Sequence, residues 1–142
     1  MAADAWVIHD RFKEFMGDNT IDMDGDTFEM RLYTSASNIA DTSVDDATTA
    51  TNEVSGSGYA PDVLVTTWTR VTATTTFDSD DAVFTASGGP ITARFAAVID
   101  TSTTPDEVVC HSLLDNTPAD VTVSDGNSLT VEINASGIFA LA

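Results

Sequence analysis

From Val63 onward the chain alternates apolar and polar residues at a period of two, and this confines most of it to β-strands packed by one face. The clearest run is Ile91 to Asp100. Ile91, Ala93, Phe95, Ala97 and Ile99 fall on one side of an extended chain, and Thr92, Arg94, Ala96, Val98 and Asp100 on the other, so a single strand at the centre of a sheet is expected here. Thr27 to Thr34 repeats the pattern with Phe28, Met30 and Leu32. Val63 to Thr76 is too long for one flat strand and predicts a bent strand or two strands, Asp78 to Asp81 breaks the pattern, and Val83 to Ala86 resumes it. Gly88-Gly89-Pro90 forces a turn. Val108 to Leu114 reads as a further strand, and Val121 to Val123 and Leu129 to Ile133 flank Ser124-Asp125-Gly126-Asn127, a hairpin signal. The β-branched threonines of Thr66 to Thr76 suit a pleated surface. Short strands separated by Gly, Pro and Asp turns predict an all-β, antiparallel β-sandwich or jelly-roll-like domain spanning residues 1–142, with one short N-terminal α-helix.

That helix is expected within residues 1–17. Asp4 stands as N-cap, Ile8, Phe12 and Phe15 share a face, and Gly17 closes it. Its stripe either packs on the sheet or serves as an arm for a neighbouring subunit, with Trp6 and Val7 off the stripe. The acidic stretch Asp18 to Asp26 resembles a calcium loop, but aligning Gly25 with the turn glycine of an EF-hand puts Arg31 at the closing Glu position. An acidic turn before a strand is the expectation, with no metal site. Residues 35–61 then form a long polar loop, Ser35 to Thr51, with Ile39 and Val44 as isolated apolar residues, followed by a glycine-rich turn. Loops of that length are usually functional or covered by a partner.

The formal net charge is -18, with 23 Asp and Glu against five Lys and Arg. Such a surface disfavours nucleic acid and anionic membranes, because both require clustered Lys and Arg, and Arg11, Lys13, Arg31, Arg70 and Arg94 are scattered. What it is compatible with is a basic partner surface, a high-salt environment where excess acid stays solvated, or solubility at high local concentration. No apolar run approaches a membrane span, and the start of the chain lacks the order of a signal peptide. The single Cys110 excludes an internal disulfide, and with only His9 and His111 no Cys/His zinc set exists. Cys110 and His111 are adjacent, so on a strand they point to opposite faces, which predicts a buried thiol beside a surface imidazole rather than a nucleophile and base. Asp45-Asp46 and Asp80-Asp81 read as solvated loop carboxylates. No catalytic fingerprint is present and no cofactor is implied.

Thr51 to Pro61 separates the helical opening from the strands. Gly56 and Gly58 admit positive φ, Tyr59 carries an aromatic body with a polar tip, and Pro61 sets the exit. A phosphate cradle would need a third glycine or a following Lys-Ser or Lys-Thr and a helix, none of which follows. Gly56, Gly58 and Tyr59 are therefore read as a structural turn.

Asn52, Glu53, Val54, Gly56, Gly58 and Tyr59 resemble the Asn-Glu-Val-x-Gly-x-Gly-Tyr signature of small structural proteins of tailed bacteriophages. The likeness extends to Phe12, Lys13 and Phe15, to Ile21-Asp22, to Phe28 to Tyr33, to Asp80-Asp81 with Phe84, to Ile91-Thr92-Ala93-Arg94 and to Gly137-Ile138. The chain departs from the pattern at Ala60-Pro61, where a Thr or Ala followed by Arg is usual, so no contact by that arginine carries over. The resemblance implies a non-enzymatic virion protein, made soluble in the host cytoplasm, acting as a capsid decoration or cement protein on the outer head shell. Its partners would be the major capsid protein or other virion proteins, and a second copy or two in a dimer or trimer. Trp6, Phe12, Ile138 and Phe139 are the candidate partner contacts. The alternative is a tail or fibre module that binds host-surface glycans through Tyr33, Tyr59, Trp6 and Trp68.

Overall fold

In chain order the elements are β1 (Val7–Ile8), α1 (Asp10–Gly17), β2 (Phe28–Tyr33), β3 (Asp62–Val63), β4 (Thr66–Val71), β5 (Thr74–Ser79), β6 (Ala82–Thr85), β7 (Ile91–Ala93), β8 (Phe95–Asp100), β9 (Glu107–Leu113), β10 (Val121–Val123), β11 (Ser128–Val131) and β12 (Phe139–Leu141). They come from a computed structural model that describes residues 3–142, so the first two residues of the expected N-terminal segment lie outside the described residues. The largest sheet has the order β1-β9-β8-β2-β3, and every pairing in it is antiparallel. A three-stranded sheet, β12-β5-β4, and two ribbons, β10-β7 and β11-β6, complete a sandwich-like all-β fold with one short helix near the N-terminus. Among the described residues, no helix is long and apolar enough to cross a membrane.

The main core lies between the large sheet and the smaller pieces. It takes Phe28, Met30 and Leu32 from β2, Ala96 and Val98 from β8, Phe77 from β5 and Phe84 from β6. One row of aromatic rings fixes the three-stranded sheet to it. Trp68, Phe77 and Phe139 stand opposite one another across β4, β5 and β12. Phe77 meets Phe28 edge-on at 5.1 Å between centroids, and Phe139 meets Phe12 of α1 at 5.8 Å.

Four sequence expectations change in the structure. The first concerns the helix, which begins at Asp10, because residues 7 and 8 pair with His111 and Cys110 of β9 as a short strand. Asp4 is not its cap. The first-turn N–H groups are met from across the molecule, where Asp10 N donates to the Thr42 carbonyl at 3.0 Å and Arg11 N to Asp45 Oδ1 at 3.3 Å. α1 is packed on its own domain rather than held out as an arm, since Phe12 is fully buried.

The second change concerns Ile91 to Asp100, which is two strands rather than one. Arg94 is a bend whose N–H donates to the Tyr33 carbonyl at 2.8 Å and whose carbonyl accepts from Leu114 N at 3.0 Å. Across it the inward face switches. Ile91 and Ala93 enter the main core, and beyond the bend Ala96 and Val98 do so, while Ala97 and Ile99 enter a second apolar cluster on the outer face. β8 is the central strand of the large sheet, as expected of this stretch.

The third concerns the Ser124 to Asn127 turn, which exists, with Asn127 N on the Ser124 carbonyl at 3.0 Å, but does not join a hairpin. β10 pairs with β7 and β11 with β6, so residues 82–93 and 121–131 form one long ribbon with paired turns at its middle. The Val63 to Thr76 run is divided at Thr72-Ala73 into the β4-β5 hairpin, and β5 continues into the Asp78-Ser79 stretch read as a break.

The fourth concerns the long loop, which covers rather than needs covering. Ile39 and Val44 pack with Tyr33, Ala97, Ile99 and Val108 in the outer cluster. The large sheet is thus buried on both faces at β8.

Candidate functional site

The glycine turn is a clasp. Gly56, Ser57 and Gly58 all take positive φ, at 75°, 51° and 72°. The turn is closed by Tyr59 N on the Gly56 carbonyl at 2.9 Å, and two other segments join it through backbone bonds, with Val54 N on the Leu32 carbonyl and Ser87 N on the Ser57 carbonyl, both at 2.8 Å. The Tyr59 hydroxyl accepts from Leu32 N and donates to Glu53 Oε1, both at 2.9 Å, and its ring is stacked on Phe84 at 5.8 Å. Burial pushes that phenol well above its ordinary range. Glu53 and Tyr59 of the signature therefore hold the 52–59 segment against β2. Tyr59 is committed at its hydroxyl and on one ring face, and Tyr33 is 1% exposed, so neither presents a platform to a sugar.

Of the four candidate partner contacts, two are corrected outright. Phe12 is 0% and Ile138 5% exposed, because each fills the main core. Phe12 and Phe139 meet each other in the ring stack described above. Trp6, half-buried, is the residue with an open side. It lines a groove of about 470 Å³ between residues 3–6 and 131–138, whose walls include Leu114, Val131, Ile133 and the edge of Ile138, with Asp4 and Glu132 also lining it. The structure thus brings Trp6 and Ile138 to one place and takes Phe12 and Phe139 to another. Residues 3–6 are held there by Asp4 N on the Leu113 carbonyl at 2.9 Å and by Ser112 Oγ on the Asp4 carbonyl at 2.8 Å.

Sequence reasoning missed the buried polar groups, because their partners lie far apart in the chain. Arg11 bonds Glu107 through Nε at 3.0 Å and Nη2 at 2.6 Å, and Asp46 at 3.3 Å. Glu107 is almost wholly buried, and burial pushes its carboxyl up while the Arg11 bonds pull it back. Asp46, expected as a solvated loop acid, is buried and caps its own loop by accepting from Thr48 N and Thr49 N. These contacts tie α1 to β9 and to the long loop. The acidic loop before β2 uses its carboxylates in the same way, with Asp22 N on Asp26 Oδ2 at 2.7 Å and Asp24 N on Asp22 Oδ1 at 3.1 Å.

His111 is not a surface residue. It is 6% exposed, and its Nδ1 lies 2.9 Å from Nε2 of the fully buried His9. His9 Nδ1 is 2.7 Å from the Val44 carbonyl, which can only accept, so Nδ1 carries the His9 proton and Nε2 accepts from His111 Nδ1–H. Both rings are neutral in this arrangement. Burial lowers both, His111 to about 4, against the opposing pull on His9 of the Val44 bond and of Asp45, Asp10 and Asp41. Cys110 points the other way, into the main core, where burial pushes its thiol up. The three residues form no nucleophile and base pair.

Asp100 is the other buried ionisable group. It is fully buried at the end of β8, with Oδ1 accepting from Ser102 N at 2.7 Å and Oδ2 without a partner. Burial raises it to about 7, with the neighbouring Asp26 adding to the rise against the Ser102 bond. Among the described residues no three His, Cys, Asp or Glu side chains converge as a metal site. The chain matches no family model, no curated protein and no solved structure.

Proposed function

We propose that the chain is a non-enzymatic structural protein of a tailed-phage virion, a decoration protein that binds the outer surface of the head shell. The observation that carries the reading is the Trp6 groove, an apolar trough with acidic residues among its lining on a strongly acidic body. Its complement is an apolar segment flanked by Lys or Arg on the shell protein. The resemblance over residues 52–59 supplies the setting, and the geometry of that stretch supports a structural use of the signature rather than a ligand loop.

Purified protein mixed with undecorated shells should co-sediment. Trp6→Ala should weaken that binding by at least about 30-fold, the loss of one buried aromatic anchor of ~2 kcal/mol, with only the modest fall in melting temperature expected of a half-buried side chain packed on the core. Absence of the wild-type protein from the shell pellet would refute the reading. Wild-type binding that Trp6→Ala leaves intact would move the contact away from the groove.

A further inference from the structure

The β4-β5 hairpin differs in charge from the rest of the molecule. Residues 63 to 77 contain no acidic residue and one basic residue, Arg70, in a chain with 23 acids. Among the described residues, β4 has β5 on one side and no strand on the other. Its outward face continues from β3, and Val63, Val65, Thr67, Thr69 and Val71 are all exposed at alternate positions. The three valines are 61%, 69% and 68% exposed, the highest among the large apolar residues. Six residues of strand with a free edge, four of them β-branched and only Arg70 charged, are a template for pairing, and natural sheets ordinarily block such an edge with charge, proline or a bulge. Here Arg70 is the one such device within β4.

We infer that the free edge of β4 pairs antiparallel with β4 of a second copy, joining two three-stranded sheets into one six-stranded sheet across a two-fold axis. The inference goes beyond the shell-binding reading and does not rest on it. Charge selects the occupant. A basic partner is drawn to the acidic surface elsewhere, whereas two bodies of charge -18 repel each other on every acidic face and approach at least cost along the β4 edge, where Asp78, across from Thr67, is the one acid on the two strands of the hairpin. The edge is also self-complementary. With Thr69 on the axis, Thr67 faces Val71 of the second copy on the outer side of the sheet, and Trp68 faces its Arg70 on the inner side. That register sets a guanidinium against an indole and avoids opposing the two arginines.

Light scattering and sedimentation equilibrium on the intact chain test this. The expected mass is twice 15.0 kDa at micromolar concentration, and association should strengthen between low and 0.5 M salt as screening removes the repulsion between copies. Thr69→Glu places like charges on the axis at an exposed position and should raise the dissociation constant by at least about 100-fold with an unchanged circular dichroism spectrum. Thr69→Cys should give a covalent dimer on mild oxidation, since Cys110 is buried and does not compete. A mass of 15.0 kDa at all concentrations and salts, or a dimer indifferent to Thr69→Glu, overturns the inference.

Discussion

Gly58→Val is expected to destabilise the protein by roughly 3 to 5 kcal/mol and so to remove most of the stability of a domain this size. Two separate effects combine. The residue sits at φ 72°, where a β-branched side chain is an outlier. A Cβ placed there would also lie 2.9 Å from Ser87 Cβ and 3.2 Å from Ser87 N, so the strain cannot relax without moving the backbone that carries the Ser87 to Ser57 bond. Gly56→Asn supplies the contrast within the same turn. Its φ is 75°, but nothing lies within 4 Å of its added Cβ, and asparagine tolerates that region, so a loss under about 1 kcal/mol is expected. Denaturant unfolding of the two variants checks both figures. Equal stabilities would mean that conformation alone governs the turn and that the approach of Ser87 is irrelevant.

The second large effect is a pair of opposed titrations. Asp100 holds its proton up to about pH 7 when folded but only to about pH 4 when unfolded, so stability falls as pH rises through that interval. His111 behaves in the opposite sense. Its folded form resists protonation down to about pH 4 while an unfolded histidine takes a proton near 6.5, so stability falls as pH drops between those values. His9, also lowered, adds to the same slope. In the wild type Asp100 and Glu107, both raised, oppose His111 and His9, both lowered, so the net profile between pH 4 and 7 is shallower than either set alone would give. Single substitutions separate them. Asp100→Asn removes the buried charge and puts an amide donor at the unpartnered oxygen, and should stabilise the protein by about 2 to 4 kcal/mol at pH 8 while making it more acid-sensitive below 6.5. His111→Gln should leave a profile that declines as pH rises from 4 to 7. Urea unfolding at pH 4.5, 6 and 8 measures all three proteins, and an Asp100→Asn variant weaker than wild type at pH 8 would mean that Asp100 is ionised and stabilising.

What was legible in the sequence was the strand character that immediate burial imposes. Thr27 to Thr34 and Val108 to Leu114 alternate or run apolar because of their own immediate burial, and both became strands. The Ile91 to Asp100 stretch misled for a physical reason. Beyond Arg94 the strand is buried on both faces, so Ala96, Ala97, Val98 and Ile99 are all apolar and alternation no longer reports which side faces which cluster. The β9 bulge has the same origin. Val109 is inserted between Val108 and Cys110 opposite Ile99 and Val98, sending two consecutive residues to the main core. The Ser124 to Asn127 turn was readable because Gly126 takes φ 81°, but the pairing of its flanking strands was fixed by residues 82–93, some 30 to 50 positions earlier. The candidate site was less legible still. Trp6 drew notice as an aromatic residue off a helical stripe, yet its groove depends on residues 131–138, and the Arg11 to Glu107 bond joins positions 96 apart.

The loop from Ser35 to Thr51 gives the molecule an uneven clock for solvent exchange. Because its Ile39 and Val44 close the outer face, the amides of β8 have strands on both sides and apolar cover above and below. They can meet deuterium only when the whole domain opens. The loop is held by more than its apolar anchors, since Thr42 and Asp45 accept from the first-turn N–H groups of α1 and Asp46 meets Arg11, so lifting it would also uncap the helix. Lifting would uncover Ala97, Ile99 and Val108 together, an apolar patch separate from the exposed edge of β4.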